Sequence, residues 1–100
     1  MKLYLRARVP NEGAHRLAWW IEQQPDAAAA YEAVGASIGT VAHVDRLLDG
    51  DLTPGMAWGL AIANVTGGQV RPNDWYRETD LWWFTPPAER DHRWAARIAA

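Results

Sequence analysis

The chain has 100 residues, 49% of them hydrophobic and seven of them tryptophan, with a formal net charge of −2. A chain this short fills one core and not two, its apolar content excludes a disordered polymer, and the lack of cysteine excludes disulfide staples and cysteine-bound zinc. No apolar run approaches the roughly 18 residues that a membrane span needs, so a cytoplasmic protein with no membrane partner is expected.

The N-terminal MKLYLRARV places Lys2, Tyr4, Arg6 and Arg8 on one side of an extended chain and Leu3, Leu5, Ala7 and Val9 on the other, the alternation of a half-buried strand and not of a signal-peptide core. Pro10, Asn11 and Gly13 break it. A first helix is predicted over about 13–24, with Leu17, Trp20, Ile21 and Gln24 at helical spacing, ending at Pro25. Asp26 is placed to cap AAAAYEAV, a second helix that stops at Gly35. Ser37 can cap a third helix over about 38–49, closed by Gly50 in a left-handed conformation. Thr53 and Pro54 open a fourth, which runs to about Val65 with Trp58, Ile62 and Val65 as its buried stripe. Beyond the Gly67–Gly68 pair, Asn73 to Tyr76 suit one helical turn, LWWF (81–84) a short strand, and PAERDHRWAARIAA a terminal helix from about Pro87. One mainly helical domain follows: a strand or arm over 1–9, a bundle over 13–76 and a tryptophan-rich extension over 77–100.

Two short helices meeting at a glycine and followed by a capped third describe a helix-turn-helix. With Gly35 in the turn, Ala30, Val34, Val41 and Val44 all face inward and Ala36 sits in the turn. With Gly39 there instead, Asp45 is forced into the core, which costs several kcal/mol unless it is paired. The Gly35 register is therefore preferred.

The run VGASIGTVAHV (34–44), the link from Gly50 to Pro54 and TGGQVRPNDW (66–75) together resemble the Cro and repressor type of helix-turn-helix, the lambda-repressor-like class, and within it the small YdaS-like, Cro-like regulators of phages and prophages. The resemblance spans about 14–76. It implies a four- to five-helix bundle that binds operator DNA as a dimer and regulates transcription. The residues outside it add an N-terminal strand and the aromatic run 82–84, which is expected to be buried on the bundle, paired with that strand or shared with a second subunit. Three positions depart from the family's pattern. Tyr31 stands where alanine is usual, Gly50 falls about three residues late, and Ala28 or its neighbour replaces a phosphate-binding glutamine.

In this register the third helix turns Ser37, Ile38, Gly39, Ala42, His43 and Arg46 outward, with Thr40 at the edge, and the small Gly39 and Ala42 allow close approach; Ser37, Ile38, Gly39, Thr40, His43 and Arg46 are the base-edge candidates. Arg46 can donate twice to guanine, His43 can donate to or accept from a base, and Ile38 can pack on a thymine methyl. The same residues have plainer uses: Arg46 can pair with Asp45 or Asp49, and His43 can be a solvated helix residue. Residues 17–70 carry six acids against Arg46 alone, and the cations lie at the chain ends, so Lys2, Arg6, Arg8 and Arg71 are the expected phosphate contacts if they are not merely the wet side of a strand. Trp82, Trp83 and Phe84 cannot all face one way on a strand, and one side is expected to serve a homodimer or another partner protein. The alternative function is an acidic adaptor that binds a regulator, RNA polymerase or a host protein instead of DNA. Catalysis is not expected, because His15, His43 and His92 are scattered and Ser37 is the sole serine. Nor is a cofactor or metal. The G-A-S-I-G run at 35–39 matches a hydrolase nucleophile elbow in letters alone, since a helix and not a strand precedes it.

Overall fold

Asn11 opens the first helix, its side-chain oxygen accepting from the Ala14 N–H at 2.8 Å, and a computed structural model describes the chain from here in both directions, over residues 8–90. Four α-helices and one 3-10 turn occur among the described residues: α1 (Glu12–Gln23), α2 (Ala27–Ile38), α3 (Val41–Asp49), α4 (Met56–Val65) and the 3-10 turn Pro72–Tyr76. The described residues contain no strand. The predicted N-terminal strand falls almost wholly on residues 1–7 and most of the terminal helix on 91–100, outside the described residues.

The core is built from one stripe of each helix. Leu17, Ala18 and Ile21 of α1, Val34 and Ile38 of α2, Val44, Leu47 and Leu48 of α3, and Ile62 of α4 are buried together with Val70, Trp75 and Trp83. Full burial of each large aliphatic side chain contributes about 1.5–3 kcal/mol, which holds short helices that would be marginal in isolation. As predicted, Asp26 caps α2, accepting from the Ala29 N–H at 3.0 Å, and Gly50 ends α3 at φ 84°.

The bend between α2 and α3 corrects the preferred register. Helix α2 continues through Gly35 to Ile38, and the chain turns at Gly39, whose φ of 112° is one that side-chain-bearing residues rarely adopt. Thr40, and not Ser37, caps α3, its hydroxyl accepting from the Ala42 N–H at 3.3 Å. Ser37 lies inside α2 and donates to the Val34 carbonyl at 2.6 Å. Gly35 serves close approach: a Cβ there would stand 2.6 Å from Val41 Cγ1 and 2.8 Å from the Val41 nitrogen, so only a bare α-carbon lets the two helices pack this tightly.

The penalty that argued against the Gly39 bend is removed by a partner. Tyr31 donates its hydroxyl proton to Asp45 Oδ1 at 2.7 Å, with the Val41 carbonyl 3.4 Å away, so the half-buried carboxylate is hydrogen-bonded where the helices cross. Tyr31→Phe is expected to lower stability by about 1 kcal/mol, the usual net contribution of one side-chain hydrogen bond. Urea midpoints of the two proteins measure it.

The last described segment also departs from expectation. LWWF forms no strand: the chain turns at 82–85, the Thr85 N–H donating to the Trp82 carbonyl at 3.0 Å. Trp83 is fully buried against α1, while Trp82 and Phe84 remain exposed. The segment is fastened a second time by Arg90, whose guanidinium donates to both oxygens of Asp74 at 2.9 Å and to Glu12 at 3.2 Å. Glu12 in turn accepts from Arg16 at 2.8 Å. This alternating row of charges joins α1, the 3-10 turn and the tail.

Candidate nucleic-acid interface

Helix α3 is amphipathic over its nine residues. Val44, Leu47 and Leu48 are buried, Ala42, Arg46 and Asp49 are exposed, and Val41, His43 and Asp45 lie between. The exposed stripe continues past the N-terminus of the helix onto Thr40 and Gly39. Because the bend lies four residues later than the sequence suggests, Ser37 and Ile38 belong to α2, while Ala42 and Arg46 face outward and Val44 inward as expected.

Of the six predicted base-edge residues, Gly39, Thr40 and Arg46 are exposed and adjoin one another along the start and outer side of α3. Ser37 is half-buried and engaged with its own helix. Ile38 is a core residue with 4% of its surface exposed, so it is not available to a thymine methyl. His43 turns toward α4, with Nδ1 2.9 Å from the Ile38 carbonyl and its ring centroid 4.5 Å from that of Trp58. With a carbonyl as partner, Nδ1 carries the proton, and the imidazole braces the bend instead of projecting from it.

Ala42, expected on the outward face, is exposed and belongs to the same stripe as Thr40 and Arg46. Its small side chain leaves room for close approach. Ala42 and Arg46 are four apart and share a face in any register.

Among the predicted phosphate contacts, Lys2 and Arg6 lie outside the described residues. Arg8 is exposed and enters the fold beside the end of α3, since Pro10 packs against Gly50. Arg71 is half-buried, its Nε donating to the Gly68 carbonyl at 2.9 Å and its backbone N–H to Asp74 at 2.7 Å. It shapes the approach to the 3-10 turn. Of the predicted partner residues, Trp82 and Phe84 are exposed, at 46% and 57%, whereas Trp83 belongs to the core.

The acids surround the stripe without interrupting its N-terminal half. Asp45 is held by Tyr31, while Asp49 and Asp51 stand at the C-terminal end of α3, and Glu32 is exposed on α2. Arg46 is the sole lysine or arginine of α2 and α3.

The described residues include no cluster of histidine and carboxylate side chains suited to a metal ion, and no described helix is long and apolar enough to cross a membrane. No family model, no curated protein and no solved structure matches the chain.

Proposed function

We propose that the chain is a helix-turn-helix regulator of transcription, of the Cro-like repressor kind that its motifs resemble, and that it binds operator DNA as a dimer. The observation that carries the proposal is the stripe Gly39, Thr40, Ala42 and Arg46, exposed on a short helix that is braced from behind by Gly35 against Val41 and anchored below by Val44, Leu47 and Leu48. A helix of that length enters a major groove about 12 Å wide. Arg46 then donates both guanidinium N–H groups to a guanine edge, and the small residues before it let the backbone come close. The first N–H groups of α3 face the adjacent phosphate, where the helix dipole favours an anion. Exposed Arg8 adds a backbone contact near the other end of α3. Dimerisation through Trp82 and Phe84 would set two such helices on half-sites roughly 34 Å apart.

The charge distribution makes the affinity salt-dependent. With roughly three phosphates neutralised, the binding constant should fall about 40-fold between 50 and 200 mM salt. Titrating a generic duplex at the two concentrations measures this. Absence of binding at 50 mM, or an affinity indifferent to salt, would overturn the DNA reading.

A second reading has its own support. Exposed Glu32 on α2 and Asp49 and Asp51 at the end of α3 outnumber Arg46, the sole lysine or arginine of the two helices, which suits an adaptor that docks a basic protein. Such a protein leaves the duplex unbound at both salt concentrations.

A further inference from the structure

The least expected residue in the core is His15. It is fully buried in the middle of α1; neither ring nitrogen has a partner in good hydrogen-bonding geometry, and the backbone of Thr85 and Trp82 in the turn above faces the ring. Trp19 meets it edge-on and Trp83 meets it at a tilt, each with ring centroids 6.4 Å away. Trp83 has no surface exposed, and its indole N–H is also without a partner. The imidazole, faced by backbone alone, and the unpartnered Trp83 indole N–H therefore lie side by side where the tail closes over α1, at a cost that an apolar pair would not incur. The turn is held down by the packing of Trp83 and a hydrogen bond of 2.6 Å from the Trp19 indole N–H to the Trp83 carbonyl, and the chain beyond it is fastened by Arg90.

Next to this contact, Arg16, Trp19, Trp20, Gln23, Gln24 and Pro87 line a half-open groove of about 270 Å³. Trp19 is common to both. Lifting the turn would join its vacated seat to the groove and bare a continuous aromatic face on α1.

We infer that residues 82–87 form a releasable strap over α1, closed while His15 is neutral and opened by its protonation. The charged groups acting on the imidazole among the described residues are Glu12 and Arg16, both on α1, and the strap turns only backbone of Thr85 and Trp82 toward it. No carboxylate of the strap stands ready to receive an imidazolium. Burial pushes the His15 imidazole below its ordinary range, Arg16 adds to that push, and the Thr85 and Trp82 backbone and Glu12 oppose it without cancelling it. The sign follows: the open form binds a proton more readily than the closed form, so closure is fully favoured above the free-histidine value of about 6.5 and is lost as pH falls from there toward the lower value of the closed form. Each opening takes up one proton, which resides on His15.

The test uses the full chain labelled at its indole and imidazole nitrogens and titrated by NMR from pH 8 to pH 5, with far-ultraviolet circular dichroism recorded in parallel. The expected result is that the Trp19 and Trp83 indole signals leave their closed positions along the same curve as the His15 ring, at unchanged helix content. In His15→Phe, which keeps a ring of similar bulk and removes the proton site, the two indole signals should stay at their closed positions throughout. Should that variant not fold, the wild-type curves decide alone. Indole signals that stay constant while His15 titrates, that move only with loss of helix, or that move unchanged in His15→Phe overturn the proposal.

Discussion

Asp74→Ala is expected to lower stability by about 3 kcal/mol, with unfolding at a correspondingly lower urea concentration. Asp74 is 1% exposed and accepts both Arg90 guanidinium donors and the Arg71 backbone N–H. Removing one partner of a buried ion pair typically costs about 3–5 kcal/mol, because the other charge stays behind without compensation. The low end of that range applies here, since Glu12 still accepts from Arg90 at 3.2 Å and Arg90 keeps slight access to water. The origin of the loss separates two accounts. If the stranded guanidinium causes it, adding Arg90→Met to Asp74→Ala recovers a large part. If the lost backbone acceptor at Arg71 causes it, the double variant is no better than the single one.

Trp83→Ala should be equally severe, at about 3–5 kcal/mol for truncating a fully buried tryptophan. The neighbouring residues provide the contrast. Trp82 and Phe84 are exposed, so alanine at either should change stability by about 0.5 kcal/mol or less. Chemical denaturation of the three variants measures the set. Equal losses at all three positions would contradict the assignment of Trp83 alone to the core, and would favour an interface in which the whole aromatic run is covered.

The parts of the fold that were legible in the sequence are those decided within a few residues. Asp26 before a run of alanines and Gly50 after Leu47–Leu48–Asp49 mark helix ends by chemistry that needs no distant partner. The position of the bend was not legible in the same way. Asp45 and Tyr31 each look unfavourable when weighed singly, one as a carboxylate near the core and the other as a ring too large for a close helix crossing. Their 2.7 Å hydrogen bond removes the objection that Asp45 raised to the Gly39 register and gives the Tyr31 ring its place at the crossing. The pairing joins residues 14 apart on two helices, and periodicity within either helix carries no sign of it.

The tail shows the same limit from the other side. An aromatic run such as LWWF has the composition of a strand, yet no described segment pairs with it, and Trp83 turns inward because α1 offers Trp19 and His15 as its seat. His15 appeared as one of three scattered histidines. Its burial is a consequence of where residues 82–85 fold back, a contact 70 residues long in sequence that local pattern cannot foresee. For the candidate interface, Arg46 and Thr40 were recoverable from helix period and capping, while the inward turn of Ile38 and His43 depended on the register.

The central claim is that the exposed start and outer side of α3 meet DNA. Backbone amide shifts of the labelled protein, followed during titration with a short duplex at 50 mM salt, test it most directly. The account predicts the largest changes at Gly39, Thr40, Ala42 and Arg46, with α1 nearly silent. Changes centred on α1 or on the 3-10 turn, or a spectrum that the duplex leaves untouched, would contradict it.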